Sequence, residues 1–345
     1  SLNASGDLAG VTWIAGLDLY HDEVRSSRLA RSLVDDSVTA LTPRFPDGST
    51  IVQGGLFARF EWVPGTRHRA SAGLRYSDVR IKLPDGTRIA PRRLSGDLGW
   101  IYDLTDNRQV LANAGSGFRA PNIADLGTLG NRPGNRFNIP NTGLDAESVT
   151  HIDLGFRYRG ARWQGEVVGW SLRYSDRIVS TGTGATTPEG RDIVQSTNAA
   201  SSRLAGIEAG LVVDLTERLR LRAAVNLTRG TQRIDGTEEP ADRVPPLRGR
   251  LVFEADLTDT WQVETRLIAA SKQDRLSDRD VRDVRIDPLG TPGWVNIGAS
   301  ARWISDGGWS VLAAVDNILD RRYRVHGSGI DAAGTNLSLT LRRSW

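Results

Sequence analysis

The sequence predicts an all-β fold, a transmembrane antiparallel up-and-down β-barrel with about 14 strands visible in 345 residues. Three observations carry that prediction. Segments of about ten residues alternate apolar and polar side chains with period two, as strands with one buried face do. The connections between them alternate between very short and long. Tryptophan collects beside the short ones.

Taken in order, the alternating segments are 10–20, 54–63, 68–81, 93–104, 109–118, 149–158, 162–178, 204–215, 219–228, 248–257, 261–271, 294–304, 308–318 and 335–345. The last is the cleanest: Leu337, Leu339, Leu341 and Trp345 share one parity, and Asn336, Ser338, Thr340 and Arg342 share the other. Helical periodicity is nearly absent. No run approaches the roughly 18 apolar residues of a membrane-spanning helix. The short connections read "PGTR", "TDNR", "RGA", "TER", "TDT" and "SDGG", which have hairpin-turn length and chemistry. The long ones run about 21–53, 82–92, 119–148, 179–203, 229–247, 272–293 and 319–335. A soluble sandwich has no reason to sort its loops this way, whereas an outer-membrane barrel keeps short turns on the periplasmic side and long loops outside.

Trp13, Trp62, Trp100, Trp163, Trp261, Trp303, Trp309 and Trp345, eight of the ten tryptophans, fall at the short-turn rim. Amphipathic rings settle at the membrane–water interface, so this pattern is an aromatic girdle. The opposite parity carries Asp18, Arg59, Glu61, Arg75, Asp97, Asp153, Arg157, Glu166, Arg173, Glu208, Arg220, Arg222, Glu254, Glu264 and Arg266. An arginine at the bilayer midplane costs about 2–4 kcal/mol, so these residues are expected to face a hydrated or protein-filled lumen.

Composition excludes several classes. The 44 basic and 41 acidic residues give a net charge of +3, and only Lys82 and Lys272 are lysines. The arginines are scattered singly, without the basic stripe or stacking motif of a nucleic-acid binder; their excess reads as a high-GC genome. Cysteine is absent, so disulfides and thiolate metal sites are excluded. His21, His68, His151 and His326 lack metal-ligand spacing, and no nucleotide loop or nucleophile elbow is present. No enzymatic activity and no cofactor are expected. The N-terminus shows neither a charged nor an apolar leader segment. The run "SDRDVRDVRIDP" (277–288) alternates acid and base and is expected to be a solvated, self-compensating loop.

Beyond these patterns, particular residues resemble a family. "GSGFRAPNIADL" (115–126), with Phe118, Arg119, Ala120, Pro121 and Asn122, resembles a box in the barrels of TonB-dependent outer-membrane receptors. "NIPNTGLDAESVTHIDLGFRY" (138–158) resembles that family's second box, with Asn141, Leu144 and Glu147 in the matching places. The stretch from "AAVDNILDRRYR" to the end, with Asn317, Asp320, Tyr323 and Trp345, resembles its closing signature. "YSDRIV", "LAGIEAG" and "RVPPLRGRL" are lesser echoes. Family barrels have 22 strands around a plug. The chain therefore looks like the C-terminal part of a larger receptor barrel, domain 1–345, starting at the family's ninth strand. A plug, TonB box and leader are missing, Ala146 stands where the family has proline, and Trp345 stands where phenylalanine is commonest.

The resemblance implies a bacterial outer-membrane receptor that imports a scarce nutrient, a ferric siderophore or other iron complex. It implies as partners outer-membrane lipid, a small extracellular ligand, the TonB complex through an absent N-terminal plug region, and the barrel-assembly machinery through the C-terminal strand. No nucleic acid is implied. The competing expectation is a plugless barrel serving as scaffold or pore. The candidate ligand residues lie on the long loops: Arg119, Asn131, Arg132, Arg136, Tyr323, Arg324 and His326. The loop 122–138 has no histidine, which argues against haem as cargo.

Overall fold

The computed structural model describes residues 1–127, 130–132 and 135–344. One antiparallel sheet dominates, with long strands following one another as a meander. In chain order they are β1 (Leu2–Leu8), β2 (Val11–Val24), β3 (Ser49–Trp62), β4 (His68–Lys82) and β5 (Arg92–Thr105). Then come β6 (Arg108–Arg119), β7 (Glu147–Arg159), β8 (Trp163–Thr186), β9 (Asp192–Asp214) and β10 (Leu219–Ile234). The series closes with β11 (Arg248–Asp256), β12 (Trp261–Ala270), β13 (Trp294–Ile304), β14 (Trp309–Asp316) and β15 (Asn336–Arg343). Among the described residues β1 pairs only with β2, and β15 only with β14. Trp345 lies outside the described residues.

Two differences from the sequence reading are informative. A fifteenth strand, β1, precedes the fourteen expected, because "LNASGDL" has too few large side chains to show a period. Ala9 and Gly10 turn it into β2 with φ of 51° and 81°, and Leu8 pairs Val11, which is a two-residue hairpin of the type that matches strand twist. This turn keeps the short connections on one side and leaves Trp13 beside one.

The second difference is 179–203, expected as a loop. Apart from the turn at 187–191 it is strand: β8 and β9 run 24 and 23 residues, about twice what a tilted strand needs to cross a bilayer. Glycine, serine and threonine disguise it in the sequence. Its β-branched residues nevertheless pair across the hairpin, with Thr181 and Thr197 hydroxyls 2.7 Å apart and Thr183 Oγ1 donating to the Ile193 carbonyl at 3.0 Å. The hairpin stands as a tower beyond the outer surface.

The two faces separate as the alternation requires. Leu17, Leu56, Tyr76 and Leu94 sit in one cross-strand row, and all four are exposed on the outer face. The inner face pairs its charges between strands: Arg75 with Asp18 at 3.0 Å, Arg222 with Glu254 at 2.9 Å, and Arg157 with Glu166. Each pair removes an unpaired charge from a wall that is part-buried. The two tryptophans outside the girdle also point inward. Trp170 covers Gly206, where a Cβ would come within 2.4 Å of its ring, and Trp294 stacks on Tyr323. Arg173 departs from expectation: it falls on the outer parity, opposite Arg203 and away from the buried Ser202 and Gln232.

Candidate functional site: the extracellular loop cluster

The long connections meet at one end of the sheet, and their apolar and polar contacts make the best-buried part of the chain. Its apolar centre is Val79, Ile81, Leu83, Ile89, Ile123, Leu126 and Leu144, with Phe118, Ala120 and Ile178 packed against it. Here strand tops and loops bury one another, as the lipid-facing wall cannot.

The β6–β7 connection is built on the first two boxes. Strand β6 stops at Arg119, and Pro121, which has no N–H to offer a ladder, is fully buried at the exit. Asn122 and Asp125 cap the short helix α1 (Ile123–Gly127) reciprocally: the Asp125 amide donates to Asn122 Oδ1 at 2.9 Å, and the Asn122 amide to Asp125 Oδ2 at 3.0 Å. The Arg119 guanidinium forks between Asp125 at 2.6 Å and Glu147 at 2.7 Å. Glu147 Oε1 in turn accepts the Ile178 amide at 2.6 Å. Arg119 is thus a brace between the two ends of the loop.

The second box ties the same loop to the tower. Asn141 donates to the Ser196 carbonyl at 2.7 Å and accepts the Gly143 amide at 2.8 Å. Asn198 accepts the Asp145 amide at 2.8 Å and donates to the carbonyls of Asp145 and Asp176. Leu144 and Ala146 are buried. The Ala146 amide donates to Asp145 Oδ1 at 2.7 Å, which a proline could not do. That bond and the Arg93 pairing outweigh slight burial and hold the Asp145 carboxyl below its ordinary value.

Between the boxes a small hairpin rides on the tower. Gly130–Arg132 pairs antiparallel with Arg136–Ile139, and the latter lies parallel to Asp192–Gln195 of β9. Asn135 donates to the Gly190 carbonyl at 2.9 Å, fastening the hairpin to the tower tip. Asn131 and Arg136 are exposed on it. Arg132 lies on its first strand.

The closing signature staples the last loop, 317–335. Asn317, buried and held at φ 52°, donates to the carbonyls of Arg321 at 2.9 Å and Ala333 at 3.0 Å, and accepts the Arg321 amide at 3.0 Å. Asp320 Oδ1 accepts the Thr335 amide at 3.0 Å. Tyr323 stacks on Trp294 with centroids 4.3 Å apart, and its hydroxyl accepts from Asn296 at 3.1 Å. Arg324 pairs with Asp331 at 2.8 Å; Arg322 shares that carboxylate, which both arginines hold below its ordinary value.

His326 is half-buried. Its Nδ1 lies 2.9 Å from Thr291 Oγ1, while Nε2 is buried without a partner among the described residues. Burial lowers its pKa from 6.5, Asp280 pulls it back up and Arg243 pushes it down. The acid–base run is also corrected: Ser277 and Asp280 are buried, and Ser277 caps the short helix α2 (Asp278–Val281). Arg243 of the β10–β11 connection carries the compensation, pairing with Asp280 at 3.1 Å and with Asp283. Hydrogen bonds from Arg285 hold Asp283 far below the usual carboxylate range. Burial would raise Asp242, yet Ser277, Gln232 and Arg279 outweigh it and lower its pKa. The charges compensate as expected, but within a packed knot.

Of the seven candidates, the structure groups Asn131, Arg132 and Arg136 on the tower hairpin. It gives Arg119, Tyr323, Arg324 and His326 partners inside the cluster. Asn198, which fastens the loops, left no sequence signal, since its Asp145 partner lies 53 residues away; Arg243 opens the echo "RVPPLRGRL", but its Asp280 partner 37 residues on is not marked there. No group of three or more metal-ligating side chains occurs among the described residues.

The chain is similar to known proteins along nearly its whole length. Residues 1–318 match the family model described as "TonB dependent receptor-like, beta-barrel". A curated relative, "Ferric enterobactin receptor PirA" of Pseudomonas aeruginosa, is 26% identical over 329 residues, covering 83% of this chain and 43% of that protein. Among solved structures, "Copper transporter OprC" aligns with a TM-score of 0.82 at 19% identity, covering 98% of this chain and 55% of that one. The FrpB iron transporter from Neisseria meningitidis aligns at 0.76 and 15%, covering 98% and 53%. The chain spans about half the length of the proteins it matches. It is an outer-membrane β-sheet wall with the architecture of its relatives, and it belongs to the TonB-dependent receptor β-barrel family.

Proposed function

We propose that this chain forms the C-terminal wall and ligand-facing loops of a receptor that imports an iron complex of siderophore type. Further strands and a plug would complete the barrel, and the TonB complex would act through that plug. The single observation that carries the ligand assignment is the strand pair Gly130–Arg132 and Arg136–Ile139, on which Asn131 and Arg136 are exposed above a braced loop. An amide beside a guanidinium suits an anionic complex rich in oxygen acceptors. The curated relative's description as a ferric enterobactin receptor supports the same cargo class. Copper is disfavoured as cargo of this wall, because the chain has no cysteine and no methionine to offer soft sulfur.

The test is iron-limited growth of a strain deleted for the full-length gene, supplied with defined iron sources. Growth restored by the gene on a ferric catecholate or hydroxamate, and lost with TonB, supports the reading. Equal growth with and without the gene on every iron complex overturns it in favour of a scaffold or pore.

A further inference from the structure

Three arginines stand together on the outer face of β8, β9 and β10. Arg173 is paired directly with Arg203 across β8 and β9. Arg229 lies opposite Ala205, one diagonal step from Arg203 on the same face. All three are exposed, and none makes an ion pair or hydrogen bond among the described residues. Several outward arginines elsewhere are neutralised: Arg80 and Arg92 share Asp78 at 2.9 and 3.0 Å, and Arg233 has Glu238 at 3.4 Å. Like charges directly opposite on a sheet are unfavourable, so an unneutralised pair calls for an anion.

Position says which anion. Ten residues separate Arg173 from Trp163 of the aromatic girdle on the same strand. At about 3.3 Å per residue and a tilt of about 40°, that is roughly 25 Å, the height of the apolar band of such barrels. The outer-face residues between include Val167, Ile207 and Leu211, all exposed as lipid-facing side chains are. The arginines therefore sit at the headgroup level of the outer leaflet. Exposed hydroxyls of Thr150, Ser171 and Ser201 surround them on the same face. Guanidinium forks with hydroxyl donors match phosphate geometry.

We propose that Arg173, Arg203 and Arg229 form a binding site on the outer wall for the phosphate of an anionic outer-leaflet lipid. The site faces the membrane and not the lumen, so it is independent of cargo. Its experiment compares the full-length protein with an R173Q/R203Q/R229Q variant in nanodiscs containing a phosphorylated outer-leaflet glycolipid, the same glycolipid dephosphorylated, or neither with inorganic phosphate added. Bound lipid is counted by native mass spectrometry. The wild type should retain the phosphorylated lipid, and the variant should bind it on the order of a hundredfold more weakly, roughly fivefold per arginine. In plain zwitterionic detergent the variant should unfold at the same temperature or higher, because a repulsion has been removed; this separates lost binding from misfolding. Equal retention by wild type and variant, or indifference of the wild type to dephosphorylation, overturns the site. Inorganic phosphate competing at the lipid's own concentration overturns the lipid assignment.

Discussion

Arg119 Nε donates to Glu147 Oε2 at 2.7 Å, joining residues 28 apart in sequence and closing the base of the β6–β7 loop. The same guanidinium reaches Asp125 in α1, and the same carboxylate takes the Ile178 amide at the foot of the tower. One ion pair thus couples a loop, a helix and the tower.

Removing either partner should release the loop without unfolding the wall. Arg119 is 44% exposed and Glu147 16%, so Arg119→Ala or Glu147→Gln should each cost about 1–2 kcal/mol, less than a dry pair would. A double-mutant cycle by thermal unfolding checks this. The expected outcome is strong non-additivity, and additive losses would refute the brace.

Asn198 should matter as much as the motif residues, although nothing in the sequence marks it. Asn198→Ala removes one bond to the Asp145 amide and two to carbonyls, so residues 120–146 should become accessible to protease while far-ultraviolet ellipticity stays unchanged. Equal cleavage of wild type and variant would contradict the tower's role as a support.

Asn317 combines burial, three side-chain hydrogen bonds and φ 52°. Asn317→Gly relieves the backbone but loses the bonds; Asn317→Ala loses both. We expect losses of about 2 and about 3 kcal/mol respectively, measured by denaturant unfolding. The reverse order would mean that backbone conformation is not under strain there.

The last loop should loosen in mild acid. His326 is half-buried with its pKa lowered from 6.5, so the folded state binds its proton less readily than the unfolded state does. Stability is fully present above pH 6.5 and declines as pH falls from there towards the folded-state value. Asp280 and Arg243 are the charged groups facing it. Hydrogen exchange of 317–335 should therefore accelerate between about pH 7.5 and about pH 5.5, after correction for intrinsic rates, and His326→Gln should abolish the change.

Much of the wall was legible because a membrane strand must alternate: Leu337, Leu339 and Leu341 announce β15, and thirteen other strands read the same way. β1 and the tower were not legible. Gly6 and the Thr-Gly repeats of 180–186 bury little side chain, so cross-strand hydrogen bonding makes their case and leaves no hydrophobic period. In the sequence Arg173 reads as lumenal, because charge alone implies the inner face. At headgroup height, however, an arginine can face outward. At the loops, the boxes were visible as sequence but their role was not. Phe118, Pro121, Leu144 and Glu147 prove to be the packing and bracing of the loop, while Asn131 and Arg136 on the tower hairpin between the boxes are exposed.

The account rests on that hairpin meeting the cargo. Equilibrium binding of a ferric catecholate to the purified full-length protein, followed by tryptophan fluorescence, tests it most directly when wild type is set against an Asn131→Ala/Arg136→Ala variant. Loss of a charged and a neutral hydrogen bond predicts binding weaker by roughly tenfold or more, with unfolding temperature unchanged. Unchanged affinity in the variant would contradict the account.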